Sequence, residues 1–281
     1  MMMKKMKKIL ITGSSGYIGR HLADLLKNDF VVGLDKVFRP QMTEKFIQQD
    51  INDHKRIWHP DGGYDVVVHL AAHVNVGKSV IAPMQYYRNN IGGTMSMLEN
   101  VDYDHFIFAS TGAAANPTSP YATSKLAAES LVREFCGLNG KKATIFRFYN
   151  VVGSSGYEPT NVDGLMYNLM KARRTGEFNL FGTDYDTPDG TCIRDYVHIL
   201  EVCEAIRNAI EQPVARHELE NLGSGIGYTV KQMIETFKIV NECDFKVNYL
   251  PRREGDLAKS VLNGVSPYMQ VKYTIDEMMK V

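Results

Sequence analysis

The sequence predicts an α/β fold, a doubly wound parallel sheet followed by a smaller mixed α/β lobe. Three observations carry that prediction. Through the first half, short apolar runs alternate with longer helical patterns, the rhythm of βαβ units. Runs such as residues 66–70 and 106–109 are apolar without alternation, as strands covered by helices on both faces must be. A glycine-rich turn stands directly between the first apolar run and the first helical pattern.

In chain order, "KILIT" is a buried strand and "GRHLADLLK" the helix after it, with apolar residues at helical spacing. "FVVGLD" is the second strand, ending in a carboxylate at Asp35, and a third strand-like run leads to Asp50. "DVVVHLAA" is the fourth strand, and "YYRNNIGGTMSMLEN" is helical. "HFIFAS" ends in Ser110 and Thr111. A loop of small residues follows, and Pro120 then suits the first turn of a helix that continues through "SKLAAESLVREF" to the strand "ATIFRFY".

After Asn150 the rhythm changes. Residues 151–164 and 182–195 are long stretches rich in Gly, Pro, Asp and Thr, of the kind that line sites. The expected division is a nucleotide-binding domain over residues 1–149 and a substrate lobe over 150–281, some segments of which return to the first domain.

A chain of 281 residues, 44% hydrophobic and 23% charged, has the balance of an ordinary globular protein. Lys plus Arg and Asp plus Glu both number 32, so no global field draws it to nucleic acid or to an anionic membrane. The basic start, "MMMKKMKK", has the flank of a secretory leader. Its apolar run stops at Ile11 and glycines follow, so it reads as a strand of a cytoplasmic protein. No stretch approaches the roughly 20 apolar residues of a membrane span. Cys136, Cys192, Cys203 and Cys243 are scattered without metal-ligand or disulfide spacing, and no metal site is expected.

Gly13, Gly16 and Gly19 form a G-x-x-G-x-x-G array between strand and helix, which makes the first domain Rossmann-type. Glycines there let the backbone turn tightly and approach a pyrophosphate, which then faces the helix N-terminus. Asp35 follows Gly19 by sixteen residues, at the second strand's tip. It is placed to accept hydrogen bonds from a ribose and to repel a 2′-phosphate, which favours NAD over NADP; Lys36 softens that preference. Asp50 is placed to meet the adenine edge; the alternative is an aspartate that merely caps a turn.

Tyr121 and Lys125 stand one helical turn apart and share a face. The pair alone is common. Downstream of a dinucleotide fingerprint, with Ser110-Thr111 at a strand end between them, it reads as chemistry.

With these motifs the sequence resembles the extended short-chain dehydrogenase/reductases and, within them, a shortened version of the UDP-glucose (UDP-galactose) 4-epimerases. "HLAAHVNVGKSV", "YYRNNIGGT", "RFYNVVG", "LFGTDYDTPDGTCIRDYVHI", "NLGSGIGYTVKQMIE" and "PRREGD" carry the likeness over most of the chain. The resemblance implies C4 epimerisation of a UDP-hexose through a transient 4-keto sugar, with NAD bound throughout. It also implies a homodimer, formed by helices near residues 83–100 and 121–136.

Residue by residue, the resemblance makes Tyr121 the base, Lys125 its positive neighbour and ribose ligand, and Thr111 the hydroxyl that relays the sugar's proton. Gly13, Gly16, Tyr17, Ile18 and Gly19 would meet the pyrophosphate, and Asp35, Asp50 and Ile51 the adenosine. Leu70, Ala71, Ala72, Asn89 and Ser110 would line the rest of the cofactor. The UDP-sugar would fall to Thr111, Asn150, Arg194, Arg253, Asp256 and Ser260. A phenol titrating at about 10 needs roughly 4 kcal/mol of stabilised charge to drop three units. Lys125 and the oxidised nicotinamide are expected to supply it.

Arg194 could instead pair with Asp195 or Asp189. His69, His73 and His198 read as structural. Two departures shorten the chain: little room for a helix after Asp35, and "GAAANPTSP" in place of a longer acidic loop after Thr111. Ser260 stands where the family often has a bulky tyrosine, which would admit N-acetylated sugars. A dehydratase or decarboxylase, or a non-catalytic NAD sensor, are the rival readings. Gly112-Ala113 after Thr111, where dehydratases carry Asp-Glu, argues against elimination, and the Tyr/Lys pair argues against a sensor.

Overall fold

In the computed structural model, which describes residues 6–213, 216–253 and 256–281, the first apolar run is strand β1 (Lys8–Thr12), followed by helix α1 (Tyr17–Leu25). Residues 1–5 of the basic start and residues 254–255 of the "PRREGD" motif lie outside the described residues. Next come β2 (Phe30–Asp35), β3 (Lys45–Gln48) and β4 (Tyr64–His69), then α2 (Val76–Ile81) and α3 (Pro83–Tyr86). One π-helical turn, Tyr87–Gly92, leads into α4 (Gly93–Asn100) and β5 (Tyr103–Thr111). A 3₁₀ turn, Gly112–Ala115, precedes α5 (Pro120–Leu138) and β6 (Lys142–Phe148). As the short spacing after Asp35 implies, no helix forms between β2 and β3, and none forms between β3 and β4.

The chain continues through β7 (Asn150–Val152), α6 (Leu165–Thr175), β8 (Glu177–Phe181) and β9 (Ile193–His198), then α7 (Ile199–Glu211) and β10 (His217–Leu222). It ends with β11 (Gly227–Thr229), α8 (Val230–Val240), β12 (Lys246–Leu250), β13 (Lys259–Ser260) and α9 (Ile275–Met279). These elements make two compact units. The first runs up to Arg147 and takes back Cys203–Glu220; the second is Phe148–Val202 with Asn221–Val281.

In the first unit a seven-stranded sheet has the order β10-β6-β5-β4-β1-β2-β3, and the pairs from β3 to β5 run parallel. Ile9, Leu10 and Ile11 are all fully buried, which explains three consecutive apolar residues: both faces of β1 are covered. Leu10, Val32, Val67, Phe106, Phe108, Val132 and Ile145 form one core. From β1 the connections run to opposite sides, so the carboxyl ends of β1 and β4 diverge. That is the switch point where doubly wound sheets bind ligands.

In the second unit β9 pairs with β7 and β13 in parallel and with β11 antiparallel, and β8 pairs with β12. Val152, Met166, Leu169, Tyr196, Met233, Phe237 and Met279 form its core. Asp195 is the polar pin of this unit. Its fully buried carboxylate accepts from Ser224 N (2.7 Å), Ser224 Oγ (2.8 Å), Gly225 N (2.9 Å) and Leu262 N (3.1 Å).

Candidate active site

The glycine turn is packed so closely that side chains would not fit. A Cβ on Gly19 would lie 2.4 Å from Gly13 O, and one on Gly13 would lie 2.8 Å from Ala71 N. Gly13 also has φ +71°, a left-handed conformation that favours glycine. Gly16 precedes Tyr17 and Ile18 as the N-cap of α1, which has no side-chain cap and no acidic residue in its first turn. The helix therefore presents its N–H groups and positive end to an anion at the switch point.

Asp35 is tied to this turn: its carboxylate accepts from Ser15 N and from Val37 N, each at 3.2 Å. The short connection after it folds back, Arg39 donating to Ser15 O at 3.2 Å. Asp50 accepts from the backbone and side chain of Asn52, both at 2.9 Å, and the backbone bond leads in holding its carboxyl below the usual range. Asn52 also donates to Asn89 Oδ1 at 3.4 Å, joining two predicted cofactor residues. Ile51 turns its side chain into the core, where Gly93 leaves space for it. Beyond β4, Leu70 N and Ala71 N donate to Thr12 O and Thr12 Oγ1, and Ala72 is half-buried.

His69 is core, as read, and it organises this edge. Thr94 Oγ1 donates to Asn90 O at 2.7 Å, so it accepts from His69 Nε2 at 3.2 Å, leaving Nδ1 to accept from Thr12 Oγ1 at 2.6 Å. Burial pushes the ring down to about 3, so it stays neutral. The sequence pointed to Asn89, yet Asn90 is the buried linker, donating to His73 O (3.0 Å) and Ser124 Oγ (2.9 Å). Both sit in the π-helical turn, a local irregularity frequent at functional sites.

Ser119 caps α5 by accepting from Ala122 N at 3.3 Å, and Pro120 fills the first helical position. Tyr121 and Lys125 thus lie one turn apart on one face, and Thr111 ends β5 beside them. Burial pushes Tyr121 up to about 12, partly opposed by a hydrogen bond from the Thr111 side chain. Lys125, the neighbour expected to lower it together with an oxidised nicotinamide, is itself buried and sits 4.1 Å over the ring of Phe108. Burial pulls Lys125 down to about 7, and the charge of Glu129 opposes the fall. Ser110, read as a cofactor ligand, gives its hydroxyl to Glu129 at 2.5 Å.

In the second unit, Arg194 donates to Leu257 O at 2.7 Å and lies 3.7 Å from the Asp256 carboxylate. Arg253 donates to the same carboxylate at 3.1 Å. Neither alternative partner holds Arg194. Asp195 is taken by the pin described above, and Asp189 by Thr191 and Thr229. Asp256 therefore gathers both arginines around one carboxylate. Asn150 donates to Asp195 O at 2.8 Å, and Ser260 lies opposite Arg194 in the β13–β9 register. His198 is buried and stacked on Tyr273 at 3.9 Å, a packing role.

The family description "NAD dependent epimerase/dehydratase family" matches residues 9–223. The chain belongs to this family. Among curated members, the UDP-glucose 4-epimerase of Erwinia amylovora is 32% identical, over 97% of this chain and 95% of its own. The solved UDP-glucose 4-epimerase of Bifidobacterium longum, in complex with NAD⁺ and UDP, superposes with TM-score 0.85 at 27% identity, covering 96% of this chain and 95% of that one. The UDP-Glc/GlcNAc 4-epimerase of Campylobacter jejuni gives 0.79 at 29% identity, over 98% and 97%. Family membership and the glycine turn agree on NAD: the tight backbone turn leads straight into a helix N-terminus with no side-chain cap, where a pyrophosphate is held.

Proposed function

We propose that the protein interconverts the C4 epimers of a UDP-hexose, UDP-glucose and UDP-galactose in the first instance, through a 4-keto sugar. The observation that carries this is Thr111, Tyr121 and Lys125 gathered at the end of β5 and the start of α5, in the same unit as the glycine cradle. Gly13, Gly16 and Gly19 at the α1 N-terminus would hold NAD, which when bound would supply a reversible hydride acceptor for carbon 4 and positive charge at the site.

Tyr121 takes the proton of the sugar's 4-hydroxyl, with Thr111 holding that hydroxyl and relaying the proton. Lys125 lends its charge to the phenolate. Starting from about 12, half-ionisation near neutral pH requires five units, or about 7 kcal/mol, rather than the 4 kcal/mol of a solvent-exposed phenol's three-unit drop. The unligated site therefore holds its base protonated, which keeps the phenolate from forming before the site is complete.

Arg194 and Arg253 hold the diphosphate with planar forks suited to phosphate oxygens, and Asp256 orients both of them until the nucleotide arrives. Binding energy then sits on UDP, and the hexose is free to turn over. A serine at position 260, where the family often has a bulky tyrosine, supports acceptance of UDP-N-acetylhexosamines too. The protein acts in the cytoplasm as a homodimer, a reading supported by the exposed Met84 and Met95 on the helices expected to pair. Sedimentation at micromolar concentration tests the dimer.

The deciding assay is interconversion of UDP-glucose and UDP-galactose without added NAD, run beside Tyr121→Phe. Wild type turns over and the variant does not while still releasing NAD on denaturation. An equal rate for both sinks the assignment.

A further inference from the structure

Glu129 has no part in the reaction as described, yet it is fully buried. Its Oε1 accepts from Ser110 Oγ at 2.5 Å and Arg147 Nε at 2.9 Å, and its Oε2 from Arg147 at 2.7 Å. Carboxylate and guanidinium meet as two parallel forks, with the arginine side chain 14% exposed. Replacing a buried ion pair by apolar residues of similar volume is often neutral for stability, so its burial is weak evidence for a purely stabilising role. What the pair has beside it is Lys125, one helical turn back on the same face and 3% exposed.

We infer that Glu129 is a positioning residue: its carboxylate, fixed by Ser110 and Arg147, keeps the Lys125 ammonium charged above the ring of Phe108. Phe108 is itself buried and stacked on His69 with centroids 5.9 Å apart, so the ring under the ammonium is held in place. Of the other titratable groups facing this corner, His69 on β4 is neutral and Tyr121 on α5 is held protonated in the unligated site, while Tyr86 on α3 meets the Tyr121 ring edge-on. Lys78, Arg88 and Glu99, on the helical segments packed around α5, are exposed and screened by solvent. Burial alone discharges a lysine; a fixed anion one turn away opposes that.

The inference rests on the proposed role of Lys125, and its test reads that lysine directly. Lysine Cε is labelled with ¹³C in the NAD-loaded full chain, and the Lys125 signal is assigned by its loss in Lys125→Met. Its titration midpoint is then followed in three variants. Glu129→Gln lowers the midpoint by about one pH unit or more, Arg147→Met raises it, and Glu129→Asp restores it close to wild type. The alkaline limb of the epimerisation pH profile moves in the same directions.

A structural role for the pair moves both variants alike or neither, and that result overturns the inference. If Glu129→Gln does not fold, the upward shift in Arg147→Met decides alone. Opposite shifts without any epimerisation by wild type leave the charge-setting role standing and remove the epimerase reading. Unmoved midpoints in an active enzyme remove the inference alone.

Discussion

Gly19→Ala separates what the glycine turn does for binding from what it does for folding. Gly19 is helical, so alanine's backbone preferences are met there and contribute about 1 kcal/mol of helix propensity. Against this, the new Cβ would stand 2.4 Å from Gly13 O and 2.7 Å from Ser14 Cα, both rigid backbone, about 1 Å short of ordinary contact. Helix α1 must back away by that amount, at an overpacking cost of about 1–3 kcal/mol. The two terms nearly offset, so the thermal midpoint of cofactor-free protein changes by only a few degrees.

Cofactor binding has no such offset. A 1 Å retreat of the helix N-terminus breaks at least one charge-assisted hydrogen bond to the pyrophosphate, worth about 1.5–3 kcal/mol, or roughly 10- to 150-fold in affinity. The assay measures NAD released per chain on denaturation, together with calorimetric midpoints with and without excess NAD. Full retention of NAD by Gly19→Ala would refute the reasoning, because the helix end would then not be what holds the cofactor.

Tyr121→Phe lowers turnover by about 10²- to 10⁴-fold with NAD content unchanged, read by coupled assay and absorbance. Arg194→Ala and Arg253→Ala each raise KM for the UDP-sugar by at least about 10-fold with smaller effects on kcat, as steady-state kinetics will show, since each removes a charge-assisted contact. Asp195→Ala strands the backbone N–H groups of Ser224, Gly225 and Leu262 and costs about 3 kcal/mol or more in urea unfolding. His69 is held far below its ordinary value of about 6.5, so the unfolded chain takes up the proton first. The stability it contributes is present above pH 6.5 and lost as pH falls toward about 3; in His69→Gln that part of the acid slope disappears from melting curves.

Much of the site was legible because its signals are local. A strand, a tight turn and a helix N-terminus lie within seventeen consecutive residues, and the Tyr121/Lys125 spacing follows from helical geometry alone. The missing helix after Asp35 was legible as chain length. Lys125 and Glu129 are also one turn apart, so helical spacing carries a signal for Glu129 as well. Arg147, which fixes that carboxylate, comes from β6, and nothing in its own neighbourhood points to α5.

By itself the sequence determined the order of strands and helices, the turn that only glycines permit, and which titratable groups share a helix face, since each depends on near neighbours and covalent geometry. Tertiary structure decided the rest: that Asp256 and not Asp195 holds Arg194, that Asn90 is buried while Asn89 is not, and that Cys203–Glu220 returns to the first unit. It also decided that burial holds the Tyr121 phenol above the range of an exposed one. Charge, burial and pairing are set by groups far apart in the chain, and those groups meet only once the sheets have formed.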